Sequence, residues 1–152
     1  MDFKTRGKEC KRYLISGQIL QLKTQSIMLT ISVAVIYLVL LLFTILFQVG
    51  LVFGKPWGEW TMGGYNKGVL PIKIRIAPFI SILILSFFAL FVVDSTQILP
   101  TNFKFPDFIK WFIIGFNVLA VIANSATQSK KERKLWQPIT VVMLLCSFSI
   151  FN

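Results

Sequence analysis

Two glutamates in the hydrophilic stretches of this chain are of a type that could do chemistry: Glu59 within GKPWGEWTMGGYNKGVLPIKIR (54–75) and Glu132 within QSKKERKLWQP (128–138). Each has a guanidinium in its own stretch, Arg75 or Arg133, so one chemistry open to them is acid/base work on an anion held by arginine at a membrane surface. The pattern gives that reading little support. Neither stretch pairs two carboxylates or sets a nucleophile beside a base, and the chain contains no histidine, the usual near-neutral base and commonest metal ligand. Its two cysteines, Cys10 and Cys146, stand far apart and outside any zinc spacing, so neither a disulfide nor a metal site is expected. No catalytic residue, metal ligand or cofactor is assigned.

The same two stretches are better suited to a membrane boundary. Trp57, Trp60 and Tyr65 are amphipathic rings of the kind that settle at headgroup depth. Lys55, Lys67, Lys73 and Arg75 add positive charge around them, with Glu59 the one acid. Five glycines and two prolines between Gly54 and Pro71 exclude a regular helix or strand there. Gly63 and Gly64 accept positive φ without a steric penalty. The choices are an interfacial belt with a re-entrant turn, or a ligand or lipid-headgroup site. In the second stretch the charges of 130–134 give way to Trp136, and Pro138 is expected in the first turn of the following helix.

The elements that position these residues follow from composition. Hydrophobic residues make up 55% of the chain and charged residues 14%, with a mean hydropathy of +0.73, outside the range of soluble domains. Four apolar runs, about 27–53, 76–93, 108–126 and 135–151, each approach the ~20 residues a helix needs to cross hydrocarbon. The expected fold is all-α, an integral membrane four-helix bundle with a Gly/Pro/Trp-rich first connector. The first run is too long for a cleaved signal peptide and lacks an Ala-x-Ala-like exit, so no processing is expected.

Within the spans, Thr30, Tyr37 and Thr44 recur every seven residues, with Ser26 and Gln48 on the same stripe, and that face should look into the bundle. Asn117 and Asn124 share a face of the third span, with Gly115 and Ala120 small enough for a neighbour to approach. Asp107 stands where an N-terminal cap would. Pro78 falls in the opening of the second span, where a missing N–H matters least.

Ahead of the spans lies a basic segment, 1–26. It holds Lys and Arg with Ile15, Ile19 and Leu22 at helical spacing, and reads either as a helix lying on an anionic membrane surface or as a solvated leader. Membrane lipid, including anionic headgroups, and a second copy or another membrane protein are the partners this composition suits; nucleic acid is not among them.

Four spans place the 54–75 and 129–138 loops on one membrane face by parity alone. Glu59 and Glu132 could then each find a basic partner in the other loop, and Trp57, Trp60 and Trp136 could form one aromatic shelf. The 16 Lys and Arg residues divide evenly between the two faces, so the positive-inside rule does not choose between the two orientations. A start at Met28 would tip the balance, and the dense charge of 129–134 favours cytoplasmic loops.

Pro56-Trp57-Gly58, Gly63-Gly64, Val69-Leu70-Pro71 and Arg75, together with Asn124, Ser129, Glu132, Arg133, Trp136 and Pro138, resemble the pattern of a family of uncharacterised bacterial four-span membrane proteins. The resemblance runs from about Val35 onward, while the leader before Met28 is atypical of it. It implies a bacterial plasma-membrane location and marks the two loops as the signature, without implying an activity. The candidate cluster is therefore Trp57, Glu59, Trp60, Arg75, Asn124, Glu132, Arg133 and Trp136. Its candidate functions are headgroup binding or partner interaction, small oligomeric transport, and intramembrane catalysis by Glu59 or Glu132.

Overall fold

A computed structural model describes the backbone of residues 3–99 and 105–151, with side chains from Gly17 onward. Readings that concern Cys10, Ile15, Pro100 or Asn102 lie outside those described side chains. The described residues form four helices: α1 (Phe3–Val52), α2 (Ile76–Ser95), α3 (Phe108–Ala126) and α4 (Lys130–Phe151). All four are long and apolar enough to cross a membrane. The protein is an all-α, multi-pass membrane protein.

Regular helix is what hydrocarbon requires, because only an intrasegment ladder satisfies every backbone N–H and C=O away from water. α1 packs against α2 and α4, and α3 against α4, giving the order α2–α1–α4–α3. α2 and α3 complete the ring through aromatic edges, with Phe88 against Phe112 and Phe116. The face of α1 turned inward is Ala34, Tyr37, Leu41 and Leu51, all fully buried. Leu42, Leu46, Leu83, Leu90, Leu119 and Leu145 point outward, where lipid replaces water as the solvent.

Lipid is as apolar as leucine, so packing and internal hydrogen bonds hold such helices together. The central bond joins α3 to α1: Asn117 Nδ2 donates to the Tyr37 hydroxyl at 3.0 Å and also to the Ile113 carbonyl at 3.0 Å. Tyr37 and Asn117 are both buried, as the stripes in the first and third spans require.

Several local expectations need correction. α1 is one continuous helix through the basic segment and the first span. Ser26 and Thr30, on the early part of the stripe, bond back to Lys23 and Ser26 carbonyls and are not buried; the bundle grips α1 only from Ala34. Gly115 faces outward with open space beside it. Asp107 occupies the cap position of α3, but its side chain makes no capping bond. α4 begins at Lys130, so Pro138 lies in its interior and leaves the Lys134 carbonyl without the usual helical N–H. Pro78 is buried near the start of α2, as its position implied.

Candidate functional site

The first connector is folded back on itself. It contains two short 3₁₀ turns, Gly58–Trp60 and Met62–Gly64, and the Gly58 N–H reaches the Gly68 carbonyl at 2.8 Å. A Cβ at Gly58 would stand 2.4 Å from the Asn66 carbonyl oxygen, so the closure needs glycine. At Met62, Gly63 and Gly64 the backbone is left-handed three times running, with φ of 52°, 75° and 71°. That turn directs the Gly63 N–H away from its own loop.

Its acceptor comes from α4. Ser129 caps this helix: its Oγ accepts the Glu132 N–H at 3.2 Å, while its carbonyl receives the Arg133 N–H. In a full capping box the glutamate three residues on would reach back to the cap residue. Glu132 instead turns Oε2 toward the other loop, accepting the Gly63 N–H at 2.8 Å and the Thr127 hydroxyl at 2.5 Å. Ser129 Oγ in turn donates to the Glu59 carbonyl at 2.9 Å. The two loops are thus stitched together, as parity allowed.

The expected pairing of each glutamate with a base is half present. Glu59 forms an ion pair with Lys131, and the hydrogen bond and charge of Lys131 hold its carboxyl below its ordinary pKa. Glu132 has no Lys or Arg within ion-pair distance among the described residues. It is only 8% exposed, and neutral donors satisfy Oε2.

Trp57 and Trp136 come together as expected, through a residue that the sequence did not single out, while Trp60 joins them by its backbone carbonyl. Phe47 of α1 stacks on Trp57, centroids 5.3 Å apart and 12° from parallel, and meets Trp136 edge-on at 4.8 Å. Trp136 Nε1 donates to the Trp60 carbonyl at 2.7 Å. Gly50 lets Trp57 lie against α1, since a Cβ there would fall 2.2 Å from the indole.

Neither arginine is directed at a carboxylate. Arg75 donates from Nε to the Leu70 carbonyl at 2.9 Å and from Nη1 to the Val52 carbonyl at 3.3 Å. It thereby places a cation at the C-terminal end of α1, where free carbonyls and the helix dipole favour one. Arg133 donates to the Thr127 carbonyl at 2.5 Å. Acid, base and anion holder are therefore not assembled in one place.

Beneath the stitched loops the bundle encloses a partly open cleft of about 150 Å³. All four helices and the first connector contribute. Thr44, Gln48, Asn124, Glu132 and Thr140 supply polar groups, and Phe47, Phe116, Leu85 and Met143 apolar ones. Asn124 Nδ2 bonds its own helix at the Ala120 carbonyl, 2.8 Å away. Of the candidate residues, Asn124, Glu132 and Trp136 line this cleft, while Trp57, Glu59, Trp60, Arg75 and Arg133 belong to the platform above it.

Comparisons with protein-family models, with curated proteins and with solved structures returned no match. The site residues that sequence reasoning missed include Phe47, Gly50 and Thr127, and Thr61, Leu85, Phe116 and Met143 of the cleft lining. Only Thr127 carried a signal: it stands just before a Ser-x-x-Glu box, in reach of that glutamate.

Proposed function

We propose that this is a non-enzymatic protein of the bacterial plasma membrane that binds anionic lipid headgroups through the 54–75 and 129–138 loops. The observation that carries this reading is the bracing of one loop by the other, through Glu132 to Gly63 and Ser129 to Glu59. A surface held in this way loses little entropy when it meets a ligand. Lys55, Lys67, Lys73, Lys130 and Lys134 stand exposed around it, and basic side chains at a membrane surface attract anionic headgroups. Plasma-membrane location and the bacterial origin rest on the resemblance of the loop motifs.

A second reading, a small transporter acting as an oligomer, draws on the polar cleft. Native mass spectrometry of the purified protein tests both by reporting retained lipid and subunit number together. The headgroup reading expects phosphatidylglycerol to be retained over phosphatidylcholine, and less of it after Lys55, Lys67 and Lys73 are replaced by Gln. Equal retention of the two lipids by the unaltered protein would overturn it.

A further inference from the structure

We infer that the cleft beneath the loops is a binding site for an ammonium group carried on an apolar chain, a ligand opposite in charge to the headgroups assigned to the platform. The inference starts from Glu132. Its Oε2 is held by Gly63 and Thr127, and Oε1 accepts no bond from any described residue. Yet no fully enclosed side-chain oxygen or nitrogen among the described residues lacks a partner. Oε1 therefore keeps some exposure, and Glu132 is among the residues that line the cleft.

Several other polar groups of the cleft have their donors engaged elsewhere. The hydroxyl protons of Thr44, Ser81 and Thr140 go to the Leu40, Ala77 and Trp136 carbonyls, at 2.8, 3.0 and 2.9 Å. Asn117 engages Nδ2 on Tyr37 and Ile113, and Asn124 directs Nδ2 to Ala120. Their oxygens remain able to accept, Gln48 and Thr61 bring both donors and acceptors to the same lining, and Glu132 is its one charged residue.

A primary ammonium brings a positive charge and three donors, the complement of a lining whose one charged group is the Glu132 carboxylate. An anion would meet the carboxylate, and a neutral ligand would leave its charge uncompensated in a low-dielectric site. The rings of Phe47, Phe116 and Trp136 add a favourable electrostatic surface for a cation. A water needs roughly 10–15 Å³ of such space, so a volume of about 150 Å³ holds a headgroup of several heavy atoms rather than a bare ion. Leu85 and Met143 offer contact to the chain that follows.

The ammonium could arrive on a membrane lipid, as in phosphatidylethanolamine, or on a free alkylamine, and the test separates the two. Native mass spectrometry of the full chain in a neutral maltoside is titrated with dodecylamine and, separately, with dodecanol. The unaltered protein is expected to prefer the amine at least about tenfold, as a site built for hydrogen bonding rejects an analogue that lacks the matching group. Glu132→Gln should remove the preference while keeping an oxygen for Gly63 and Thr127. Asn124→Leu, which leaves that link untouched, should weaken it if Glu132→Gln fails to fold.

Equal binding of amine and alcohol by the unaltered protein would overturn the inference, as would a preference that survives both substitutions. Phosphatidylethanolamine retained from lipid nanodiscs and displaced by dodecylamine identifies the lipid source. Amine binding without retained phosphatidylethanolamine identifies a free amine. Neither arm involves the platform lysines, so failure here leaves the anionic-headgroup reading standing, and the reverse also holds.

Discussion

The carboxylate of Glu132 accepts the backbone N–H of Gly63 at 2.8 Å, joining the N-terminus of α4 to the first connector. A charged acceptor on a half-buried N–H is one of the stronger hydrogen bonds a protein makes, and removing it leaves the donor unpaired. Thr127 shares the same oxygen, so deletion of this one side chain orphans two donors.

Glu132→Ala is expected to lower stability by about 2–4 kcal/mol, read as a fall in thermal midpoint in detergent. Glu132→Gln should lose less than half of that. If alanine and glutamine variants melt together, the carboxylate is not what stitches the loops.

Glu59 and Lys131 make the contrasting case, an exposed pair at the rim. The folded-state pKa of Glu59 is depressed, so its contribution is present above the ordinary carboxylate pKa and is lost as pH falls through the folded value. Glu59→Gln should therefore melt slightly below the unaltered protein at pH 7, and the gap should close as pH falls below the ordinary carboxylate range. High salt should narrow it at any pH. A gap that widens on acidification would contradict the assignment.

Gly50→Ala drives a methyl into the Trp57 indole, with 2.2 Å between the added carbon and the ring. Separation of Trp57 from Phe47 should follow, at a cost of about 1–3 kcal/mol. Tryptophan emission should shift to the red as the indole moves outward, and an unchanged spectrum would count against the stacked shelf.

Arg75→Lys keeps the charge at the end of α1 but cannot serve the Leu70 and Val52 carbonyls from one planar fork. We expect a loss of about 1–2 kcal/mol, with Arg75→Ala somewhat worse. A lysine variant as stable as the parent would show that charge alone suffices there.

Tyr37→Phe removes the partner of Asn117 inside the bundle. Hydrogen bonds between membrane helices average about 0.6 kcal/mol and reach about 1.7. A small drop in thermal midpoint in that range is the expected result, and a loss of several times that size would mean that Tyr37 does more than accept one bond.

The spans were legible because hydrocarbon leaves a chain few options: α3 runs over the residues its apolar run marked, and α2 extends its own run by two residues. The start of α4 was harder, because Lys130 to Lys134 look like a solvated connector. The Ser129-x-x-Glu132 spacing outweighs their charge, and with the helix beginning there Pro138 falls inside it. The partner of Glu132 was hidden for a different reason. Charges in a sequence invite pairing by sign, whereas this carboxylate found a backbone N–H exposed by the left-handed turn at Gly63. Phe47 was one apolar residue among many, and only the path of the folded loop brings two tryptophans onto it. Thr44, Gln48, Asn117 and Asn124 were placed on inward faces by their spacing. That they border open space rather than packed atoms depends on how the side chains of four helices fill the middle, which spacing does not encode.

α1 is a single rod of 50 residues, about 75 Å long at 1.5 Å per residue, against a hydrocarbon layer of about 30 Å. Its length exceeds that layer by roughly 45 Å. For an unbroken helix, a change of about 10° in tilt would carry a point about 40 Å along it sideways by about 7 Å. The described backbone offers no hinge between the basic segment and the span, so the two share one direction.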